Sequence, residues 1–435
     1  MKYNMLKQLV VIFFIALFYP SLLFGHGWAG YEQGAKAHGM GGAFTGLADD
    51  PTAVYFNPAG IVQLDGTQAS LGFAVANARG HFKSNGTSGI AGVGAGDETD
   101  LKDQVFLIPN FYLTSKINDR FSIGFGEYTI FGLGFKWPNS FEGRYAPGGR
   151  NGGLETMTLN PVAAYRITEN LSLALGGRIE RAKLTLENKI FLAPGIDDVR
   201  AKISGDDFGL GWNAAIFYKI TDELSGGLSY KSPMKHSFSG IDVAFTPQID
   251  ALGPIPVGIL NTKASLDVTL PQFAGIGIAW STGPLTITLD GYWWDWSEID
   301  ELNIKLRDPV AGAPSIVTPM DWDDTLTWAI GAQYNINAFD RDVSLRGGFM
   351  YEQCPAPSKT IIPAGYNGDN LLYNIGLGSM IGPFYSDIYV TYVYTRDQKW
   401  NNLYSHVNNP GGGPVTGEFQ DYNTFIIGSN ISYKF

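Results

Sequence analysis

The last fifteen residues set the tightest limit on what this chain can become. From 421 to 435 apolar and polar side chains alternate, with Phe425, Ile427, Ile431, Tyr433 and Phe435 on one face of a strand and Thr424, Asn430, Ser432 and Lys434 on the other. A period of two over such a length asks for an apolar medium on one side and a packed or wet interior on the other. The pattern recurs in candidate strands near 67–82, 104–117, 120–136, 153–167, 171–190, 207–220, 224–240, 262–280, 285–306, 323–336, 343–353, 370–382, 384–397 and 421–435, fourteen in all. Their connections alternate between short and long. The first three short ones form a crude repeat, Lys116-Ile117-Asn118-Asp119, Arg166-Ile167-Thr168-Glu169 and Lys219-Ile220-Thr221-Asp222, and the later ones fall at 281–284, 335–342 and 381–383. Long connections rich in Gly, Pro, Asn and Asp read as outer loops. Short turns on one side, long loops on the other and an even strand count predict an all-β fold, a transmembrane antiparallel β-barrel of about 14 strands.

Composition agrees with a wall that meets lipid. Charged residues make up only 16%, aromatics 14%, and there are 55 glycines in 435 residues. The balance of 30 Lys+Arg against 41 Asp+Glu, with no basic patch, excludes a nucleic-acid partner. Cys354 is the only cysteine, so neither an intrachain disulfide nor a cysteine zinc site can form, and no cofactor or metal is expected. Residues 1–25 carry Lys2 and Lys7 ahead of an apolar run from Leu9 to Tyr19, then Pro20 and small residues to Gly25, the form of a signal peptide cleaved after Gly25 or Gly27. Beyond residue 28 no apolar run is long enough for a transmembrane helix, so an exported chain can span a membrane only with strands.

Between the leader and the first strand lies QGAKAHGMGGAFTGLADDPTAVYFNPAG, residues 33–60. Asp49, Asp50 and Pro51 read as a helix start, with Asp50 as cap and Pro51 at the first helical position. Asn57, Pro58, Ala59 and Gly60 read as a tight turn that stops it. A stretch so rich in Gly and Ala builds no core of its own and must pack inside something larger. The expected organisation is a plug over 26–66 inside a barrel over 67–435. Small inward residues on the early strands, Ser70, Gly72, Ala74 and Ala76, then Ser122, Gly124 and Gly126, leave room for it.

The order Ala29-Gly30-Tyr31, Gly39-Met40-Gly41-Gly42-Ala43-Phe44, Ala48-Asp49-Asp50 and Asn57-Pro58-Ala59, behind a leader and ahead of a strand-rich chain, resembles the N-terminal hatch of the FadL/TodX (OmpP1) family of outer-membrane transporters for hydrophobic compounds. A final strand ending on Phe435 is similar to the signal that barrel-assembly machinery recognises. The resemblance implies a monomer in the bacterial outer membrane, in contact with its lipid. It also implies passive uptake of a hydrophobic small molecule, long-chain fatty acids by default, with lateral exit at a kink in the third strand. Gly124 and Gly126 are where such a distortion would be easiest, and uniform packing against the plug is the rival reading. An aromatic-hydrocarbon channel is the alternative within transport, and a surface adhesin or receptor barrel the alternative outside it.

A fatty acid would need a cation for its carboxylate. Parity turns Arg178, Lys231 and Arg346 inward and sets Arg144 near the mouth; Glu180, two residues after Arg178 on the same face, is a competing partner. For an uncharged hydrocarbon the inward aromatics Phe106, Tyr112, Phe273 and Trp294 would matter more. Trp293 is expected to face lipid. An enzyme is not expected: the five histidines show no metal-ligand spacing, no Gly-x-Ser-x-Gly motif is present, and His236 and Ser237 point to opposite faces.

Overall fold

The computed structural model describes residues 33–90, 93–192, 197–252, 255–338, 340–365, 368–402 and 414–435. The expected leader, the first residues of the plug and the glycine-rich centre of the last outer loop lie outside them. Fourteen strands form the wall: β1 Thr67–Asn85, β2 Val105–Lys116, β3 Phe121–Tyr128 continued by Gly132–Leu133, β4 Asn151–Arg166, β5 Leu171–Ile190, β6 Val199–Lys219 and β7 Leu224–Lys231 continued by Met234–Thr246. They go on with β8 Thr262–Leu270 and Phe273–Thr282, β9 Leu285–Trp294 and Glu301–Val310, β10 Ala313–Pro319 and Thr325–Ala338, β11 Arg341–Glu352, β12 Asn370–Ile381, β13 Phe384–Thr395 and Gln398–Asn402, and β14 Val415–Lys434. Each pairs antiparallel with the next. β14 returns to β1 from Gln68↔Lys434 to Ser84↔Gly417, which closes the cylinder.

The short repeats work as side-chain-locked turns. Asn118 Oδ1 accepts the N–H groups of Arg120 and Phe121, Thr168 Oγ1 those of Asn170 and Leu171, and Thr221 Oγ1 those of Glu223 and Leu224. Alternation is obeyed along the wall. Phe73, Leu175, Ile276, Ile330, Ile375, Phe425 and Ile427 stand exposed on the outer face, while Ala74, Ala76, Ala329 and Thr424 are buried. An outer surface of that kind is stable only against lipid. No helix among the described residues is long and apolar enough to cross a membrane.

Inside, the described part of the plug holds two short helices, α1 Ala35–Gly39 and α2 Ala53–Phe56, then a 3-10 turn, Pro58–Gln63. The helix start differs from the expectation. Asp50 Oδ1 accepts from Thr52 N (2.8 Å) and Thr52 Oγ1 (2.5 Å), so Asp50 and Pro51 belong to a turn that leads into α2, and Thr52 takes the cap position. Asn57 behaves as a three-way clip. Its Oδ1 accepts from Ala59 N at 3.1 Å, and its Nδ2 donates to Thr45 O at 2.9 Å and to the wall carbonyl of Ile216 at 3.0 Å. Pro58, lacking an N–H, leaves that oxygen to Ala59, which is fully buried. Asp49 reaches the plug's own Lys36 at 2.7 Å.

Seating the plug needs wall positions without side chains. A Cβ on Gly348 would lie 2.1 Å from Gly41 N, and one on Gly331 would lie 2.2 Å from Met40 O, so plug backbone runs directly on wall backbone. The wall also holds the plug by hydrogen bonds. Asp290 Oδ2 accepts the N–H groups of Phe44 (2.8 Å) and Thr45 (2.6 Å), and Asn430 Oδ1 that of Ala35 (2.8 Å).

Candidate functional site

The third strand does not run through to 136. It is regular from Phe121 to Tyr128, pairing Tyr128 with Thr158, and resumes only with Gly132 against Glu155. Thr129, Ile130 and Phe131 therefore face only Thr156 and Met157, a β-bulge of one extra residue. Thr156 stabilises it by donating its N–H to Phe131 O and accepting Phe131 N–H on Oγ1. On the other side the ladder between β2 and β3 extends only from Phe111↔Glu127 to Lys116↔Ser122, although β2 continues to Val105. The wall therefore has a break in its pairing beyond Phe111, toward the outer end of β2.

Gly124 and Gly126 are not at that break. Both sit in paired ladder, opposite Val162 and Asn160, and a Cβ on them would come within 2.8 and 3.0 Å of the Val54 side chain in α2. Their small size serves the seating of the plug. The distortion comes a few residues later, where the sequence holds no glycine.

The four cations divide clearly. Arg346 donates to Asp387 (2.6 Å), Gln333 (2.7 Å) and Tyr385 (2.9 Å), a set that uses up its planar fork against the wall near the lower end of the plug. Arg178 donates to Ser232 O at 3.0 Å and pairs with Glu180 at 3.8 Å, the partner two residues along its own strand. Arg144, in the outer loop after β3, donates to Phe141 O and Tyr145 Oη, both at 2.9 Å, and lies 3.6 Å from Asp198. Lys231 stands apart. It is 2% exposed, and its Nζ has no hydrogen-bond acceptor among the described residues. Two rings hold it instead, Tyr55 of the plug at 4.2 Å from centroid to Nζ and Phe273 of β8 at 4.3 Å. Ser229 Oγ, on the same inward face, is also without a partner among the described residues, and Arg178 adds a second positive charge nearby. Unpaired donors in a buried wall are costly unless something else satisfies them.

An aromatic track connects this ammonium with the break. Tyr55 meets Tyr128 edge to face at 5.1 Å, and Tyr128 stacks on Tyr112 at 6.2 Å; Tyr128 is the last regular residue of β3. The plug reaches the break as well, since the Gln33 amide donates to the carbonyl of Thr129, inside the bulge. On the opposite wall Phe273 packs on Trp294 at 4.7 Å, and Trp294 on Trp296 at 6.0 Å, while Phe131 lies edge to face with Trp294 at 5.9 Å. Phe106, Tyr112, Phe273 and Trp294 are thus all inward and buried, and Phe106 belongs to the same apolar core. Trp293 faces out, with Nε1 3.2 Å from Asp324.

Two groups escape a reading of the sequence alone. Asp290 has inward parity with Thr288 and Tyr292, and an acid on the inner face of an otherwise apolar strand is the one signal that marks it. Glu127 shares its strand with the two glycines and has outward parity, yet it is buried, 2% exposed, at the point where β3 leaves β2. At the lower end, burial pushes the Asp50 carboxyl up to about 6, with Lys36 pulling the other way. Lys36 is itself held above its ordinary range: burial works against its charge, and Asp49 and Asp50 outweigh that.

Residues 29–435 match the family described as outer membrane protein transport protein (OMPP1/FadL/TodX). Outer membrane protein P1 of Haemophilus influenzae is 26% identical over 406 residues, spanning 83% of this chain and 84% of its own length. The long-chain fatty acid transport protein of Escherichia coli K12 is 24% identical over 452 residues, spanning 92% and 93%. Among solved structures, a Pseudomonas aeruginosa FadL homologue superposes with a TM-score of 0.78 at 19% identity over 94% of this chain and 100% of that one. The Pseudomonas putida toluene transporter TodX does so with 0.67 at 16% identity, over 95% and 100%. The hatch motifs, the closed wall and the family match cover the same residues, and the chain belongs to the OMPP1/FadL/TodX family of outer-membrane transport proteins for hydrophobic compounds.

Proposed function

We propose that this barrel admits long-chain fatty acids passively across the outer membrane, holding the carboxylate at Lys231 and releasing the molecule sideways through the break beside β3. The observation that carries the reading is the bare Lys231 ammonium. Three donors on a buried Nζ, flanked by Ser229 Oγ and with Arg178 close by, match the head group of an ionised acid, and the rings of Tyr55, Phe273 and Trp294 suit its chain. A toluene-like substrate has no use for that cation. Relatives named long-chain fatty acid transport proteins are consistent with the assignment. The track Tyr55, Tyr128, Tyr112 supports a path from Lys231 to the break, along which an acyl chain keeps apolar contact.

The test is oleate binding to the purified barrel in detergent, with Lys231→Met as the variant. Removing one charge-assisted contact of about 1.5–3 kcal/mol lowers affinity roughly ten- to a hundredfold, while toluene binding is unaffected. Equal oleate affinity in the two proteins would overturn the assignment.

A further inference from the structure

One row of the outer wall contains an anomaly. Across the ladder, Ile431 pairs with Leu71, Leu71 with Phe111, Phe111 with Glu127, Glu127 with Leu159 and Leu159 with Ile179. Alternation gives all six the outward side of the ladder, where Ile431 and Ile179 are about half exposed, whereas Glu127 is covered by protein where β3 leaves β2. Five are apolar. The sixth is an acid, the last residue of β3 to pair with β2, directly beside the break. Glu127 is 2% exposed, and no described group forms a hydrogen bond or ion pair with its carboxyl. An unpaired ionisable group buried at membrane depth marks a functional position more often than a structural one.

The fatty-acid reading gives Glu127 a task, and the role assigned to it here rests on that reading. A carboxylate that leaves Lys231 for the bilayer must shed its charge or carry it through an apolar gap. We propose that Glu127 is the exit station for the substrate's head group, its carboxyl and the fatty acid's sharing one proton in an O–H···O hydrogen bond as the molecule passes the gap. The proton balance is simple. The departing carboxylate takes one proton from lumenal hydronium, leaving water, no bond to carbon changes, and the neutral acid carries that proton into the lipid. Glu127 begins and ends in the same state. Its contribution is to hold the head group beside the gap through a pairing that two carboxyl groups make well and a carboxyl and a hydrocarbon cannot make. This makes Glu127 a specificity-determining residue for acids over hydrocarbons at the exit, separate from the selection at Lys231.

The mature chain reconstituted in liposomes, assayed for delivery of labelled oleate and labelled hexadecane, tests this. Glu127→Leu is expected to lower the ratio of oleate to hexadecane delivery at least tenfold, and oleate affinity in detergent is expected to stay within twofold. Where the leucine variant does not assemble, Glu127→Gln, which keeps the shape and cannot share a proton between two oxygens, is expected to lower the ratio at least threefold. An unchanged ratio in either variant, or a parallel loss for both cargoes, would overturn the inference. Lys231→Met keeps the two readings apart. If it leaves oleate affinity intact, the fatty-acid assignment fails; if it weakens affinity while the Glu127 variants leave the ratio unchanged, only the exit station fails.

Discussion

Asp290 holds the plug at Phe44 and Thr45, and replacing it with alanine should release that segment without dismantling the wall. Its Oδ2 receives three groups within hydrogen-bond distance: the N–H of Phe44 at 2.8 Å, the N–H of Thr45 at 2.6 Å and the Tyr292 hydroxyl at 2.7 Å. The β9 backbone keeps its ladder with Gly277 on one side and Ala329 on the other whatever side chain it carries. Tyr292 has a second acceptor in Gly42 O at 2.6 Å, so only the two plug amides are orphaned. Each buried N–H left without an acceptor costs about 1–3 kcal/mol, which puts the loss at about 4 kcal/mol for the pair. At about 1.4 kcal/mol per factor of ten, the population of detached 40–47 segment rises about a thousandfold. Asp290→Asn keeps an acceptor oxygen and should lose about half as much. Hydrogen exchange at the Phe44 and Thr45 amides reads the quantity directly, and single-channel conductance in planar bilayers reads its consequence, brief openings more frequent than in the wild-type protein. Protection at these amides within threefold of wild type in Asp290→Ala would refute the reasoning, because it would mean that backbone contact alone seats the plug.

The same geometry yields three further outcomes. Gly348→Ala places a methyl 2.1 Å from Gly41 N, so the plug must lift from β11; trypsin should cut 33–66 faster in the variant, and an unchanged rate would show that the plug adapts. Asp50 binds its proton more tightly in the folded plug than in an unfolded chain, with a value of about 6 against the ordinary 3.8, so its contribution is complete below about 4 and is lost as pH rises through 6. Exchange of α1 and α2 amides should therefore quicken between pH 5 and 7.5, and Asp50→Asn should flatten the profile; a wild-type profile already flat would contradict it. Deleting Ile130 makes β3 and β4 equal in count across the bulge. The ladder should then run on, and oleate delivery should fall while oleate affinity stays the same.

How far the sequence can be read depends on the distance over which each feature is determined. Strand positions and turns are local: Thr168 and Thr221 lock their own hairpins, and alternation of Phe425 and Ile427 with Thr424 needs nothing beyond the strand itself. The hatch motif is nearly as local, though Asn57 spends one hydrogen bond on Ile216, far along the chain. Side-chain parity also gave the inward direction of Arg178, Lys231 and Arg346. It could not say which of them is taken, because Arg346 meets its acid on β13, at Asp387, whereas the neighbours of Lys231 bring only rings. The break in β3 shows the limit most sharply. Tyr128-Thr129-Ile130-Phe131 favours strand at every residue, and glycine at 124 and 126 pointed to an earlier position.

The irregularity exists only as a mismatch of count against Thr156 and Met157, a relation between two strands that neither one contains. That has a bearing on mechanism. A gap held by register rather than by a weak residue does not close through thermal straightening of β3, because removing the extra residue would shift the pairing of every position beyond it and turn inward residues out. The bulge therefore persists, and among the described plug residues the one that reaches it is Gln33, on the carbonyl of Thr129. On the proposed path, gating belongs to the seating of the plug, held by Asp290, Asn57 and the wall glycines, and selection to Lys231. A variant that loosens the plug should change how often the path is open for every cargo alike, and a variant at Lys231 should change which cargo takes it.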